Sequence, residues 1–291
     1  MGKLRKTMLF IPGNNPGMVQ NGVVFNSDSV IFDLEDAVSL NEKDTARILL
    51  KHALKNIDFS STEVVVRING LDSNLVRDDL EAVVQPQLDT ILVPKVNTAD
   101  QIKEIDKILT KLEKENNIEI PIKIIALVET ALGVENSFSI AEADKRMTAI
   151  LFGGEDFTAD IRTKRTDRGE EIDYARSRII VSCRAAKIDA IDTPYSDIDN
   201  LECLKKDAKR AKRLGFDGKA LISPKQINIV NQIFSPTAAE IDWAKRVVRA
   251  IDKAEKNGKG VISLDGKMID APIVNRAKRI INIAAKKEGA L

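Results

Sequence analysis

The chain has 291 residues, with 45 basic and 44 acidic side chains and a formal charge of +1; 43% of residues are hydrophobic and 4% aromatic. The balanced charge gives no electrostatic case for nucleic acid as a partner, and the shortage of aromatics argues against a base-stacking surface. The length suits two ordinary domains or one large α/β barrel, which typically needs about 250 residues.

From the N-terminus, Met1-Gly2-Lys3-Leu4-Arg5-Lys6 is basic, but the apolar stretch behind it ends at Pro12, too short for a secretory core. No later run approaches a membrane span. A cytoplasmic protein without membrane association is expected, and Cys183 and Cys203, each inside a helix-like apolar pattern, read as buried thiols in a reducing compartment.

Short β-branched, apolar runs then recur, each followed by a segment of helical period. The strands expected are Met8–Ile11, Ser29–Leu34, Glu63–Ile68, Thr90–Pro94, Lys123–Val128, Met147–Phe152, Asp189–Thr193 and Lys219–Ile222. Runs such as Val30-Ile31-Phe32 are continuous in apolar character, as strands buried on both faces require. Between them, Ile102, Ile105, Ile108, Leu109 and Leu112 form one helical stripe, and Leu201, Leu204, Ala208, Ala211 and Leu214 another, stopped by Gly215. Eight alternations without a Pro/Gly-rich linker predict a (βα)₈ TIM barrel over residues 1–235, with a doubly wound open sheet as the competing arrangement. A C-terminal helical extension over 236–291 follows. It carries amphipathic patterns at Ile241, Ala244, Val248 and Ile251 and at Val274, Ala277, Ile281 and Ala284. Asn257-Gly258-Lys259-Gly260 and a strand-like stretch, Val261–Asp270, lie between the two. The extension seals the barrel or packs on a neighbouring subunit.

In such barrels the active site lies at the C-terminal strand ends. Those ends carry Asp33-Leu34-Glu35-Asp36, Arg67-Ile68-Asn69, Pro94-Lys95, Glu129-Thr130, Gly153-Gly154-Glu155-Asp156 and Ser223-Pro224. Glu129 and Asp156 end adjacent strands, about 4.8 Å apart in a sheet, so both reach one cation. Carboxylates select Mg²⁺ or Mn²⁺, and Gly153-Gly154 let a ligand approach the backbone. With one histidine, His52, in a charged helix pattern, neither a Ser-His or Cys-His pair nor a zinc site is expected. Arg67 offers two parallel donors to a substrate carboxylate, or else bridges to Glu35 or Asp36. Lys95 raises a metal-free Schiff-base aldolase as a rival. The cations of Arg162-Thr163-Lys164-Arg165-Thr166-Asp167-Arg168 suit phosphates or an acidic partner, against a merely solvated loop. Lys205, Lys206, Lys209, Arg210, Lys212 and Arg213 read as an exposed helix face.

At these residues the chain resembles a known family, the citrate lyase beta subunits within the HpcH/HpaI aldolase group. "MLFIPGNNPGMV", "VIFDLEDAVSLNEKDTAR", "VVVRINGLDS", "LVPKV", "IALVETALG", "LFGGEDFTADIRTKRT", "IDTPYSDIDN", "GFDGKALISPKQI" and "GKMIDAP" match in order across essentially the whole chain. "GFDGKALISPKQI" and "EKDTAR" are long enough to be specific; "VET" and "GGED" alone are weak. The resemblance implies an oligomeric, often trimeric, barrel that cleaves a citryl thioester to oxaloacetate and an acetyl thioester. It implies Mg²⁺ on Glu129 and Asp156, with substrate contacts from Arg67, Glu129 and Gly154. Asp270 is implied as the acid serving the acetyl carbon, from its own or a neighbouring subunit; Glu35 and Asp36 are candidates for the base. The acyl group would ride on a coenzyme A-like prosthetic group of an acyl carrier (gamma) subunit, beside a transferase (alpha) subunit. The alternatives are a freestanding malyl-CoA or citramalyl-CoA lyase or synthase, which uses free coenzyme A, and a non-catalytic scaffold subunit.

Overall fold

Eight parallel strands close on themselves in the order of the chain: β1 Thr7–Pro12, β2 Ser29–Asp33, β3 Glu63–Arg67, β4 Thr90–Val93, β5 Lys123–Val128, β6 Met147–Phe152, β7 Asp189–Asp192 and β8 Gly218–Leu221. The last strand pairs with the first, Met8 against Ala220, so the open-sheet alternative is overturned. This computed structural model describes residues 3–59, 61–255 and 262–288. Each expected strand lies within a residue or two of the observed one; five end one residue earlier than expected, before Leu34, Ile68, Pro94, Thr193 and Ile222.

Met8, Ile31, Val65, Leu92, Ile125, Leu127, Ala149, Leu151, Ile191 and Ala220 form one buried apolar cluster, with Phe10 packed against it. Because side chains alternate, the residue two places beyond each of these lies on the same face. Asp33, Arg67, Glu129 and Gly153 are those residues for β2, β3, β5 and β6. One place away from the cluster, Asp192 and Lys219 point the opposite way, into the layer between strands and helices. There, Arg176 donates to both oxygens of Asp192 (2.8 Å each) and to Asp207 (2.7 Å). The Lys219 ammonium donates to Asp192, Asp207 and the Thr193 carbonyl, each at 2.6 Å. Arg176, Asp192 and Lys219 are fully buried.

At the opposite end of the barrel, the basic N-terminus is drawn inward rather than solvated. Arg5 forms a two-point pair with Glu63 (2.7 and 2.8 Å) and reaches Asp189 at 2.9 Å, while Ser29 and Thr90 also donate to Glu63. The helix Ala99–Glu115 buries Ile102, Ile105, Leu109 and Leu112, as its stripe predicts, with Ile108 half-buried. The helix Leu201–Leu214 buries Leu204, Ala208 and Ala211 but leaves Leu214 exposed, because the chain turns at left-handed Gly215 just behind it. Among its cations, Lys206, Lys209 and Arg213 are exposed, whereas Arg210 binds Asp173 and the Arg168 carbonyl. His52 is exposed on the helix Lys43–Asn56. Cys183 is buried, with its thiol pushed up to about 12 by burial, and Cys203 is half-buried; both are unpaired thiols.

Arg5–Asn231 form one compact unit, and the described residues from Gln232 onward belong to a second. In the second unit, Ala238–Glu255 and Ala271–Glu288 are helices, and the strand-like stretch is a hairpin, β9 Ile262–Leu264 and β10 Lys267–Ile269. Asp265 and Gly266, both at positive φ, make its two-residue turn. Asn257-Gly258-Lys259-Gly260 and Val261 lie outside the described residues. Ala244, Val247, Ile251, Ile269, Val274 and Ala277 form this unit's own core.

Replacing Lys219 by Met strips Asp192 and Asp207 of one of their two cations in a dry layer. Chemical denaturation should show a loss of roughly 3–5 kcal/mol, with the barrel's circular dichroism retained where the variant folds.

Candidate active site

Asp33 and Arg67 are register partners on β2 and β3, both turned to the barrel interior at its C-terminal end. Nε and Nη2 of Arg67 donate to the two oxygens of Asp33 at 2.7 and 2.6 Å, and the guanidinium lies over the Phe10 ring, 5.1 Å from its centre. Its Nη1 is left to face Glu35 at 3.1 Å and Asp36 at 3.5 Å. The two-nitrogen fork expected for a substrate carboxylate is thus spent on Asp33, and the remaining nitrogen, Nη1, is the one that bridges to the β2 loop.

The loop carrying Glu35 is fixed from below. Lys43 is buried and donates to the carbonyls of Leu34 and Glu35 at 2.6 and 2.7 Å; burial lowers its pKa. Asn69 donates to the Leu34 carbonyl and to Asp79, which is held in turn by Arg47 at 2.7 Å. Glu35 is buried, its oxygens 3.1 Å from Arg67 and 3.1 Å from the Lys95 ammonium. Burial raises its pKa, with the two cations opposing. The Asp36 side chain, 60% accessible, stays at the rim.

Across the mouth, Glu129 is 3% exposed at the end of β5. Its Oε1 accepts the Lys95 main-chain N–H at 2.8 Å. Its Oε2 lies over Gly153, where an added Cβ would stand 2.6 Å from that oxygen and 2.5 Å from the Glu129 Cβ. Gly153 is thus the glycine this carboxyl requires. Gly154 instead packs on Thr193, whose hydroxyl accepts its N–H at 2.8 Å. Burial, reinforced by Asp156 beside it, pushes the Glu129 carboxyl up to about 8. Asp156 is exposed in the first turn of the short helix Gly154–Asp160.

A buried carboxyl forced to hold its proton by a neighbouring carboxylate is the arrangement a cation relieves, so the donor pair fits a hard divalent ion. Among the described residues no group of three or more His, Cys, Asp or Glu is arranged for a metal. Mg²⁺ commonly takes one or two protein carboxylates and completes its shell with water and substrate oxygens.

The barrel thus brings Arg67, Glu35, Asp36, Glu129, Gly154 and Asp156 to one end. Asp270 belongs to the C-terminal unit, where it begins the helix Ala271–Glu288; its side chain accepts the Ile273 N–H at 3.3 Å. The basic loop is only partly free. Arg165 is tied to Glu171 at 2.7 Å, while Arg162, Lys164 and Arg168 are exposed. Asp33, Lys43 and the main chain of Lys95 received no role from sequence. Asp33 could have been found by parity, since it stands two residues past Ile31; nothing in a sequence marks a main-chain N–H.

If Glu129 holds its proton in the folded, metal-free protein, this group stabilises the fold at low pH. That contribution is lost as pH rises from its ordinary 4.5 through about 8. A cation binds the deprotonated form, so the rise in melting temperature caused by Mg²⁺ should be larger at about pH 9 than at about pH 6. Glu129→Gln should flatten the metal-free slope and abolish the Mg²⁺ response; Gly153→Ala should abolish the response alone. Equal stabilisation by Mg²⁺ at both pH values would refute this reading of Glu129.

Residues 6–224 match the family described as HpcH/HpaI aldolase/citrate lyase. The citrate lyase subunit beta of Leuconostoc mesenteroides subsp. cremoris is 45% identical over 283 residues, covering 97% of this chain and 94% of that protein. The mitochondrial citramalyl-CoA lyase of Homo sapiens is 33% identical over 291 residues, covering 96% and 85%. The crystal structure of CitE from Mycobacterium tuberculosis, in complex with magnesium, acetoacetate and coenzyme A, superposes with a TM-score of 0.77 at 29% identity, covering 97% of this chain and 98% of that one.

Proposed function

The chain belongs to the HpcH/HpaI aldolase/citrate lyase family, and from that premise we propose that it is the carbon–carbon lyase of a citrate lyase, cleaving a citryl thioester to oxaloacetate and an acetyl thioester. The observation that carries the chemistry is the Glu129–Asp156 pair beside Arg67 at one barrel mouth. The choice of citryl over citramalyl or malyl thioesters is supported by 45% identity to a citrate lyase beta subunit against 33% to a citramalyl-CoA lyase. The Schiff-base alternative is disfavoured because the Lys95 ammonium is paired with Glu35, which raises its pKa and keeps it protonated.

Glu129 and Asp156 would hold Mg²⁺, which when bound polarises the hydroxyl and the developing keto oxygen of the substrate. The Nη1 edge of Arg67, free of Asp33 but facing Glu35 and Asp36, would exchange the latter contact for a carboxylate of the oxaloacetate half and fix the breaking bond. The tertiary hydroxyl gives up its proton and its carbon becomes the ketone. The electron pair of the C–C bond passes to the methylene carbon as a thioester enolate, and protonation there yields the acetyl group. Glu35 is better placed than Asp36 to accept the hydroxyl proton: it is buried and its pKa is raised, whereas Asp36 lies at the rim. Asp270, from this subunit or a neighbouring one, would deliver the proton to the enolate carbon. Gly154, packed on Thr193, would contact substrate only through its main chain, and Arg162, Lys164 and Arg168 suit the phosphates of a coenzyme A-like arm. That arm would be carried by an acyl carrier (gamma) subunit, with a transferase (alpha) subunit completing the assembly and the chain itself forming a homo-oligomer, a trimer in this reading. A cytoplasmic setting accords with the two unpaired thiols; among the described residues no helix is long and apolar enough to cross a membrane.

Purified protein given a citryl thioester should release oxaloacetate only with Mg²⁺, and Asp156→Ala should abolish release. Cleavage of malyl or citramalyl thioesters in its place would move the assignment to the freestanding lyases. For Asp270 the informative change is to Asn, which caps a helix as well as Asp does but cannot supply the proton. Melting should be unchanged while turnover falls by roughly 100-fold or more; unaltered turnover removes Asp270 from the mechanism.

A further inference from the structure

Lys95 follows Pro94 at the end of β4, between the strands that supply Arg67 and Glu129, with its backbone in the left-handed region at φ +52°. A side chain with a Cβ enters that region at a cost, and such residues persist where their surroundings hold them. Two contacts hold this one. Its main-chain N–H donates to Glu129 Oε1 at 2.8 Å, and its ammonium lies 3.1 Å from Glu35. The side chain is 45% accessible, so packing does not account for the conformation.

With Oε1 occupied by a main-chain donor, the Glu129 oxygen left for a cation is Oε2, the one over Gly153. We propose that Lys95 is a positioning residue whose left-handed main chain locks one oxygen of Glu129 and leaves the other to the metal, while its ammonium separately holds Glu35 toward the substrate half of the site. The inference rests on the metal reading above and deepens it. It makes the metal site depend on the backbone conformation at residue 95 rather than on the lysine charge.

Four substitutions separate the two. Glycine adopts φ near +50° freely and asparagine tolerates it, but neither has an ammonium; arginine keeps the charge; valine, β-branched, resists the left-handed region. Mn²⁺ binding to the full chain, followed by electron paramagnetic resonance, reads the metal site without turnover. Lys95→Gly, Lys95→Asn and Lys95→Arg should bind within about threefold of wild type, and Lys95→Val roughly 10- to 100-fold more weakly, the range seen when a ligand loses its outer support. Should the valine variant not fold, Lys95→Ala replaces it and should fall between glycine and that loss. In turnover, the glycine and asparagine variants should lower kcat, since Glu35 is the proposed base, without changing the Mg²⁺ requirement. If glycine and asparagine weaken Mn²⁺ as much as valine or alanine does, the ammonium rather than the main chain supports Glu129, and the proposal falls. Wild type that binds no Mn²⁺ would instead overturn the metal reading itself.

Discussion

A β-strand sends alternate side chains to opposite faces, and in a closed barrel that parity decides what each charge can do. On β7, Ile191 points inward, so Asp192 faces the helices; on β8, Ala220 points inward, so Lys219 does too. Those two charges meet Arg176 and Asp207 in a dry layer. On β2, β3 and β5, the residue two places past the last interior aliphatic is Asp33, Arg67 or Glu129, and these face the open end. A single-residue slip on any of these strands would exchange the two sets. It would bury a catalytic-face charge among helices without a partner, at a cost of several kcal/mol.

The longest sequence motifs take their meaning from the same constraint. Lys43 and Arg47 of "EKDTAR" reach none of the proposed reacting atoms. Lys43 instead pins the carbonyls of the β2 loop, and Arg47 holds Asp79 so that Asp79 can hold Asn69. In "GFDGKALISPKQI", Lys219 completes the buried cluster; Gln226 donates to the Tyr195 carbonyl at 3.1 Å and accepts the Ile222 N–H. Loops at the barrel's open end must keep their shape without the packing that strands enjoy, and buried side chains hydrogen-bonded to main-chain atoms supply that shape.

Most of the eight strands were legible because parallel strands covered on both faces carry short apolar runs between segments of helical period; the run Ile179-Ile180-Val181 looks similar but lies within a helix-length segment. Glu129, Asp156 and Arg67 were legible as strand-end charges, and their convergence at one mouth followed from the fold. Three features were not. The burial of Arg5 and Lys6 was not legible, because their partners Glu63, Asp189 and Asp28 are far away in sequence. Asp33 was hidden among three acids in four residues, and only its register opposite Arg67 separates it from Glu35 and Asp36. The left-handed turn at Lys95 was invisible, since the sequence there offers no glycine or asparagine to announce it.

The mouth also shows why a metal and an anionic substrate can share one site. Asp33, Glu35, Asp36, Glu129 and Asp156 face Lys43, Arg67 and Lys95, which leaves an excess of two negative charges if every group is ionised. Without a cation, the excess is reduced at Glu129, which is buried beside Asp156 and keeps a proton up to about pH 8. A divalent ion would remove the excess entirely and make the mouth neutral toward a polycarboxylate, which a bare cluster of acids would repel. Asp33 contributes to the same end by taking the Nε side of Arg67, so that the guanidinium presents only its outer edge to a ligand. The proposed substrate half on β2 and β3 and the proposed metal half on β5 and β6 share this mouth and feel each other's charge, Glu35 adding to the rise at Glu129. β4 lies between them, and Lys95, just beyond its end, touches both, through its ammonium on one side and its main chain on the other.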